Sequence, residues 1–500
     1  MKKKSGQISR RSFIKTSGAL GAGFFSLPYL NCGRLGVSKP MTRSFGRIPF
    51  EPTTLGLGGQ ASLQWTPDGV DPVQIILKAF DVGLTYFDTS NLYNLSQTTY
   101  GKAFQKLGLI PGQSSYNASL RESIFLTSKT HLRWAKGQPK VEGLNNWSNG
   151  QGAYTIDDLK RSLSQIFGDG KGNYPEGSYL NMVLIHSVST MADVDAVYTG
   201  LNHPDPNDEV IGALAALKDY RDGTNLTGLN PKEEKLVRHI GFSGHYSPAV
   251  MMEMIQRDND NLLDGMLVAV NANDKLQFNM QNNVIPVAKA KNMGIIAMKV
   301  FADGAMYTKP ANWSWQSDHV VCSVGSPDLP SRPLIQYSLS TPGIATAIIG
   351  TGHIDQDPMQ CQLTQNLSAA QIKPLGLSET ERRSIEAIAH QVKDGKTNYF
   401  QAPAQELTAI QQPEIEIVEG DTVQTRLKWN SAYAGDSPLV CYNILRDGQL
   451  IGTVDHVPQI NKIPFIFEEP FLLDGSHRYQ IVAVDRNGRT NTVSLMQPSG

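Results

Sequence analysis

Four polar residues of this chain could together donate a proton and stabilise a developing negative charge. Asp88 lies near the end of the apolar run 84–90, and Tyr93 follows it five positions later. Lys129 closes a second run, FLTSK, and His186 closes a third, MVLIH. A phenol has a pKa of about 10, and a neighbouring ammonium lowers it by stabilising the phenolate. The set suits carbonyl reduction, with Tyr93 as proton donor, Lys129 as its partner, Asp88 holding Lys129, and His186 orienting the oxygen.

Each of these residues alone has an ordinary structural explanation. An aspartate caps turns, a tyrosine packs in a core, a lysine extends to solvent, and a single histidine is more often a satisfied core residue. Four such coincidences at the ends of three neighbouring strands are much less expected than one.

Eight short apolar runs alternate with amphipathic segments and must position these residues. Each run is rich in Val, Ile and Leu and is bounded by polar residues or glycine, as buried parallel strands are. The runs cover residues 54–59, 84–90, 123–130, 181–187, 239–245, 265–272, 294–301 and 345–350. Eight strand–helix units predict an α/β fold, a (β/α)8 TIM barrel over residues 46–400. Its active site is expected where the strands end, with the long connections 188–235 and 302–331 at the same rim.

Helices are predicted between these strands from apolar spacings of three and four. The segments are 71–83, 155–167, 284–293 and 331–340. In the second, Thr155 is expected to cap the helix, because acidic residues follow it in the first turn.

The helical period disappears after residues 402–413. Segments of alternating apolar and polar residues follow, and Asp447-Gly448 and Asn487-Gly488 are typical of tight turns. This pattern predicts a small all-β sandwich over residues 412–500, of the immunoglobulin or fibronectin type III kind. Trp429 and Tyr479 are expected in its core.

Residues 1–32 have the pattern of an export signal. A basic start, MKKK, precedes SRRSFIK and a short, glycine-containing apolar segment that is too short for a good membrane span. SRRSFIK resembles a twin-arginine signal, so we expect export by that route and a periplasmic or cell-envelope location. Cys32 is a candidate lipid anchor, although the residues before it match a lipobox poorly.

Composition argues against several other classes of protein. The formal net charge is −1, which favours neither nucleic acid nor an anionic membrane surface as a partner. The four cysteines form no CxxC pair, so neither a disulfide framework nor a zinc or iron–sulfur site is indicated. His239 and His245 share one face of a strand but are about 20 Å apart. No metal is therefore expected.

Four segments resemble, in order, the signatures of the aldo/keto reductase family over residues 46–395. They are GLTYFDTSNLYN, FLTSKTH, MVLIHSV and RHIGFSGH. The resemblance implies a nicotinamide dinucleotide and a small carbonyl or alcohol substrate. It makes Tyr93 the proton donor, Lys129 the residue that lowers its pKa, Asp88 the partner of Lys129, and His186 the substrate-orienting residue.

The resemblance also implies a set of cofactor-binding positions. They are Ser243, Asn271, Met298, Lys299, Gly350, Thr351, Gly352, Gln365 and Asn366. The first two would hold the nicotinamide amide, and Met298, followed by Lys299, stands where many members stack an aromatic ring. The turn 350–352 would offer N–H groups to phosphate or ribose. The last two correspond to a Glu-Asn pair that contacts adenine. The chain departs from the family at Gly244, where an asparagine is usual, and at Ala272, where a glutamine is usual.

The cofactor is expected to be NAD rather than NADP. No Lys or Arg occurs from residue 333 to 372, whereas Asp355 and Asp357 are present. A 2′-phosphate would require a cation in this region.

Trp134, after the third strand, is a candidate to stack on a sugar ring, and export with a β-sandwich suggests a sugar or glycoside substrate. Two other functions remain open. A glycoside hydrolase would need two carboxylates across the pocket, but only Asp88 stands at a strand end. A catalytically silent carbohydrate-binding protein would keep the barrel and use the sandwich for docking. The sequence specifies neither an oligomeric state nor the direction of the reaction.

Overall fold

The computed structural model describes residues 39–146, 152–273, 279–307, 309, 313–393, 406–420, 422–472 and 475–497. The expected export signal at residues 1–32, including Cys32, lies outside these ranges. None of the helices within the ranges is long and apolar enough to span a bilayer.

Within these residues, eight parallel strands close into the TIM barrel that the sequence predicted. The strands up to residue 349 are β1 (Leu55–Leu57), β2 (Tyr86–Asp88), β3 (Phe125–Thr130), β4 (Trp134–Lys136), β5 (Leu180–Ile185), β6 (Ile211–Gly212), β7 (Val237–Gly244), β8 (Leu263–Ala269), β9 (Gly294–Met298) and β10 (Ile344–Ile349). All but β4 and β6 form the barrel, in the order β1-β10-β9-β8-β7-β5-β3-β2. Every predicted run overlaps one barrel strand. Strands β4 and β6 pair separately as a short antiparallel ribbon.

Helices fill the connections between the strands. They are α1 (Pro72–Asp81), α2 (Ser96–Leu107), α3 (Ala118–Glu122), α4 (Thr155–Phe167), α5 (Met191–Tyr198), α6 (Ala213–Asp222), α7 (Pro248–Arg257), α8 (Val284–Ala290), α9 (Ser331–Ser340), α10 (Gln362–Ala369) and α11 (Glu379–Lys393). Short 3₁₀ turns occupy Ala61–Leu63, Ala302–Gly304 and Ser317–His319.

The predicted cap of α4 was wrong by one residue. Thr155 is already helical, and its hydroxyl donates to the carbonyl of Leu132 at 2.6 Å. The preceding residue, Tyr154, has extended geometry, and its N–H donates to the carboxylate of Asp157 at 3.0 Å. The acidic first turn thus binds the backbone ahead of the helix, while the threonine ties the helix to the loop after β3.

The chain first joins the barrel at the end where the strands begin. Phe45 enters the barrel interior and packs edge-on against Phe125, with ring centroids 5.4 Å apart. Arg43 donates to the carbonyl of Ile344, the first residue of β10, at 2.7 Å. Arg47 pairs with Asp264 near the start of β8 at 2.9 Å. This segment closes the foot of the barrel, so its opposite end is the mouth.

The C-terminal part of the chain is a β-sandwich, as predicted. Its strands are β11 (Gln411–Val418), β12 (Gln424–Asn430), β13 (Leu439–Arg446), β14 (Gln449–Asp455), β15 (Phe465–Pro470), β16 (Arg478–Asp485) and β17 (Thr490–Met496). They form an antiparallel three-stranded sheet, β11-β12-β15, and a four-stranded sheet, β14-β13-β16-β17. Trp429 and Tyr479 are fully buried in the core between them, where the sequence placed them.

Side chains of the barrel hold the loop before β13 through specific hydrogen bonds. Asn283 both donates to the carbonyl of Ala434 at 3.0 Å and accepts from its N–H at 2.8 Å. Asn282 donates to the carbonyl of Gly435 at 3.1 Å. Lys462 of the sandwich pairs with Glu253 of α7 at 2.6 Å. The sandwich is therefore fastened to the barrel by side-chain bonds.

Candidate active site

A cavity of about 450 Å³ opens at the ends of the barrel strands. Its walls come from the loops that follow β1, β2, β3, β5, β7, β9 and β10. Of the residues singled out from the sequence, those that line it are Asp88, Tyr93, His186, Met298, Lys299, Gly350 and Asn366. The volume is within the usual range for small-molecule and cofactor pockets.

The structure brings together the four residues expected to carry the chemistry. Lys129 Nζ lies 2.6 Å from Asp88 Oδ1, donates to the carbonyl of Thr89 at 2.8 Å, and is 4.7 Å from the centroid of the Tyr93 ring. The Tyr93 ring meets the ring of His186 edge-on, at a centroid distance of 5.9 Å. Carboxylate, ammonium, phenol and imidazole thus form one continuous set of contacts.

Burial dominates the electrostatics of this set. It raises the pKa of Asp88 and lowers the pKa of Lys129, while the attraction between the two opposes both shifts. Burial also raises the pKa of Tyr93 well above its usual value, and the charges of Asp88 and Asp303 add to the rise. This differs from the expectation that Lys129 lowers the pKa of Tyr93, because burial disfavours the charged phenolate and is the largest influence on this group. Tyr93 therefore keeps its proton at neutral pH and is suited to donate it.

His186 is one of three neighbouring imidazoles in the cavity wall. Its ring centroid lies 5.5 Å from that of His131 and 6.5 Å from that of His245. Burial lowers the pKa of His186 and of His245 well below the usual value, and that of His131 to about 2. All three are consequently neutral, and each can offer one N–H and one acceptor nitrogen. Within the described ranges, no three His, Cys, Asp or Glu residues form a group that could hold a metal.

Two of the expected nicotinamide-binding residues lie behind the cavity wall. The Ser243 hydroxyl accepts from the N–H of Ser187, a lining residue, at 2.8 Å. The Asn271 amide donates to the carbonyl of Lys299 at 3.1 Å and accepts from the N–H of Asn273 at 2.9 Å. Both side chains are fully buried. In this arrangement they support the ends of β7, β8 and β9 and are not part of the cavity lining.

Met298 and Lys299, at the end of β9, do line the cavity. Lys299 has a φ of +58°, an uncommon conformation for a residue with a side chain. Its Nζ lies 3.2 Å from Gln60 Oε1 and 3.2 Å from Asp303 Oδ1. Asp303 also binds Lys309 at 3.2 Å, so this carboxylate is shared by two ammonium groups.

The turn after β10 was expected to offer the N–H groups of residues 350–352 to phosphate or ribose, and only part of it faces the cavity. Gly350 lines the cavity, but the N–H of Gly352 donates to Gln362 Oε1 at 2.7 Å, so it does not face the cavity. The amide of Gln362 in turn donates to the carbonyl of Val321 at 2.8 Å. Thr351 and Gly352 are not lining residues. Gln362 does line the cavity, although no feature of the sequence singled it out.

Two further assignments do not match the structure. Gln365 is outside the cavity, and its amide donates to the carbonyl of Pro358 at 2.8 Å, whereas Asn366 does line the cavity. Trp134 is 4% exposed, lies in β4 and pairs with Gly212 of β6. It is therefore not one of the residues that line the cavity.

Three other large aromatic residues do line the cavity. They are Trp65, Tyr246 and Trp313. The Trp313 ring is 5.7 Å from that of His245, and Lys299 Nζ lies 4.4 Å from its centroid. His245 ends the predicted run 239–245. The rule that polar residues at strand ends belong to the active site, which selected Asp88, Lys129 and His186, could therefore have found it. Trp313 lies in an irregular connection, where no period indicates side-chain direction.

Comparison with known proteins identifies the family. The profile of the aldo/keto reductase family matches residues 54–317, more than half of the chain, and the chain belongs to this family. No protein in a search of curated sequences matched it.

Solved structures to which this chain is similar include three described as aldo-keto reductases. The one from Pseudomonas aeruginosa is 22% identical, with 66% of this chain and 93% of that chain aligned and a TM-score of 0.40. An enzyme of Klebsiella pneumoniae in complex with NADPH is 16% identical, covering 70% and 95%, with a TM-score of 0.41. Another from that organism, with NADP and acetate, is 15% identical, covering 72% and 99%, with a TM-score of 0.39.

Proposed function

We propose that the protein is an NAD(P)-dependent oxidoreductase that transfers a hydride between nicotinamide and a carbonyl or alcohol carbon. The observation that carries this proposal is the contact of Asp88, Lys129, Tyr93 and His186 at one cavity in a chain of the aldo/keto reductase family. When bound, the cofactor supplies or accepts the hydride.

The residues present fit such a cofactor. The cavity wall runs from Tyr93 past Met298 to Gly350 and Asn366. Met298 adds an apolar side chain to this wall. The turn at Gly350 packs closely on the loop after β1, because a Cβ there would lie 2.9 Å from the side chain of Ala61.

The side chains divide the work of carbonyl reduction between them. Neutral His186 donates a hydrogen bond to the carbonyl oxygen and fixes its position. Tyr93 passes its phenolic proton to that oxygen as the oxygen gains charge. Lys129 then offsets the charge left on the phenolate, and Asp88 holds Lys129 in place. In the reverse direction the phenolate takes the proton from the alcohol.

Replacing Tyr93 by phenylalanine tests this assignment. We expect kcat to fall by about 10²–10⁴-fold on aldehydes, ketones and keto-sugars, with nucleotide affinity unchanged. Tyr116→Phe, outside the cavity, is the matched control. Full activity in Tyr93→Phe would contradict the role of the phenol. Nucleotide binding by the unmodified protein without turnover of any substrate would favour the catalytically silent alternative.

We further propose that NAD is preferred over NADP. In the described part of the chain, Lys299 is the one Lys or Arg that lines the cavity, and it is paired with Asp303. Arg332, just before the cation-free stretch 333–372, directs its guanidinium to the Ser368 hydroxyl at 2.7 Å. Mass spectrometry of co-purified nucleotide and titration with both cofactors test this. Tighter binding of NADP would overturn it.

A glycoside hydrolase is less well supported. The carboxylates in the described cavity wall belong to Asp88 and Asp303, and lysines pair with both. A hydrolase would need one protonated and one free carboxyl group across the bond to be cleaved.

The proposed substrate is the carbonyl, or corresponding alcohol, of a sugar or glycoside, handled outside the cytoplasm after twin-arginine export. Export in a folded state would carry the cofactor along. Replacing Arg10 and Arg11 by lysine should keep the protein in the cytoplasmic fraction, and continued export would contradict the route. A lipid at Cys32 should be lost in Cys32→Ala, as shown by metabolic labelling with a fatty acid.

A further inference from the structure

The cavity rim carries a second tryptophan just beyond Trp313. Trp315 is 58% exposed, and its ring centroid lies 4.3 Å from that of His319. His319 and Ser314, the residue between the two tryptophans, both line the cavity. Tryptophan is among the more buried residue types, so an exposed indole beside a cavity mouth indicates a ligand-contacting position.

The backbone keeps the two indoles close together. Two residue steps span at most about 7 Å of chain, so the Cα atoms of Trp313 and Trp315 cannot be further apart. Trp313 reaches inward, to His245 and Lys299. Trp315 stands outside, and the pair therefore marks a path from the reacting centre to the surface.

The surroundings of Trp315 suit a small flat ligand better than a protein surface. The neighbouring Gln316 and Asp318 are exposed and polar. The exposed neighbours of Trp315 in the chain are thus polar, whereas protein-binding patches are large, contiguous and apolar. A sugar ring has an apolar C–H face that packs on an aromatic ring, with hydroxyl groups at its edge.

The inner part of the path is lined by polar side chains. They are His131, His245, Asn145 and Gln64. Imidazoles and amides both carry donor and acceptor atoms, as the hydroxyl groups of a sugar do. The charged groups there are paired, Asp88 with Lys129 and Asp303 with lysines, so the environment favours an uncharged polyhydroxylated ring.

We propose that the substrate is a two-ring saccharide whose reacting ring packs against Trp313 inside the cavity and whose second ring packs on Trp315 at the rim. This inference rests on the proposed function. It adds an outer subsite that selects substrate length, and it makes Trp315 a specificity-determining residue that leaves the chemical step unchanged.

Steady-state kinetics with a matched pair of substrates tests the subsite. The pair is a one-ring keto-sugar and the same sugar linked to a second pyranose. In Trp315→Ala we expect KM for the two-ring substrate to rise about tenfold, with kcat and the one-ring constants unchanged. Leu450→Ala, at an exposed apolar residue of the sandwich (63% exposed), is the control and should change neither.

A binding measurement separates this inference from the proposed function. Titration calorimetry with a two-ring sugar alcohol, which carries no carbonyl, needs no turnover. Weaker binding of the sugar alcohol by Trp315→Ala supports the subsite whether or not a carbonyl substrate is reduced. A failure to reduce any carbonyl substrate would overturn only the oxidoreductase. Two results would overturn the subsite and leave the oxidoreductase standing. In the first, Trp315→Ala and the unmodified protein have equal KM and dissociation constants for the two-ring ligands. In the second, Trp315→Ala raises KM equally for the one-ring and the two-ring substrate.

Discussion

Replacing Lys129 by methionine is expected to destabilise the barrel strongly, because it leaves the Asp88 carboxylate buried without its counter-ion. The two groups are 2.6 Å apart, and their side chains are 0% and 2% exposed. Methionine nearly keeps the length and volume of lysine, so the change removes the charge with little loss of packing. Removing one partner of a buried ion pair costs about 3–5 kcal/mol of the free energy of unfolding.

The loss should grow as the pH rises. Burial raises the pKa of Asp88, and attraction to Lys129 is the largest influence that opposes the rise. Without that influence, the pKa of Asp88 in the folded protein lies further above its unfolded value of about 3.9. Between these two values the folded protein binds more protons than the unfolded chain. The free energy of unfolding therefore falls with rising pH, by about 1.4 kcal/mol per unit at most.

Urea unfolding at pH 5 and pH 8 measures both effects. The double variant Lys129→Met/Asp88→Asn is the matched control, since it buries no charge at this position. We expect it to regain most of the stability lost in Lys129→Met and to show a weaker dependence on pH. The reasoning would be refuted by equal losses at the two pH values, or by a double variant less stable than the single one.

Other parts of the structure make three more predictions. Asn283→Ala removes two hydrogen bonds to Ala434, which should lower the free energy of unfolding by about 2 kcal/mol. Limited proteolysis between barrel and sandwich should become faster, and an unchanged rate would contradict this. Trp429→Ala should lower the free energy of sandwich unfolding by about 3–5 kcal/mol in calorimetry, with nucleotide affinity unchanged. Because burial moves the pKa values of His186 and Tyr93 away from neutrality in opposite directions, kcat/KM for reduction should be flat from about pH 6 to 9. A titration in that range that disappears in His186→Gln would be evidence against it.

The barrel could be predicted because its strands are buried on both faces. Such strands are continuous apolar runs, and the run 123–130, for example, contains β3 (Phe125–Thr130). The rule that a barrel's strands end at one rim then brought Asp88, Lys129 and His186 together without any knowledge of distances. The sandwich followed in the same way from period-two alternation, which placed Trp429 in its core.

The details that could not be predicted depend on connections without a period. Trp134 and Trp313 look alike in the sequence, but β4 turns the first into the protein while the second lines the cavity. The N–H groups after β10 look available to a ligand, but Gln362, ten residues beyond Gly352, already binds one of them. The raised pKa of Tyr93 likewise depends on the degree of burial, which residue types alone do not give.

The closed foot of the barrel has a consequence for access to the active site. Residues 43–48 fasten the incoming chain to the starts of β8 and β10, on the side away from the tetrad. The chain from Lys39 to β1 therefore does not line the cavity, and a bulky molecule can reach the mouth without displacing it.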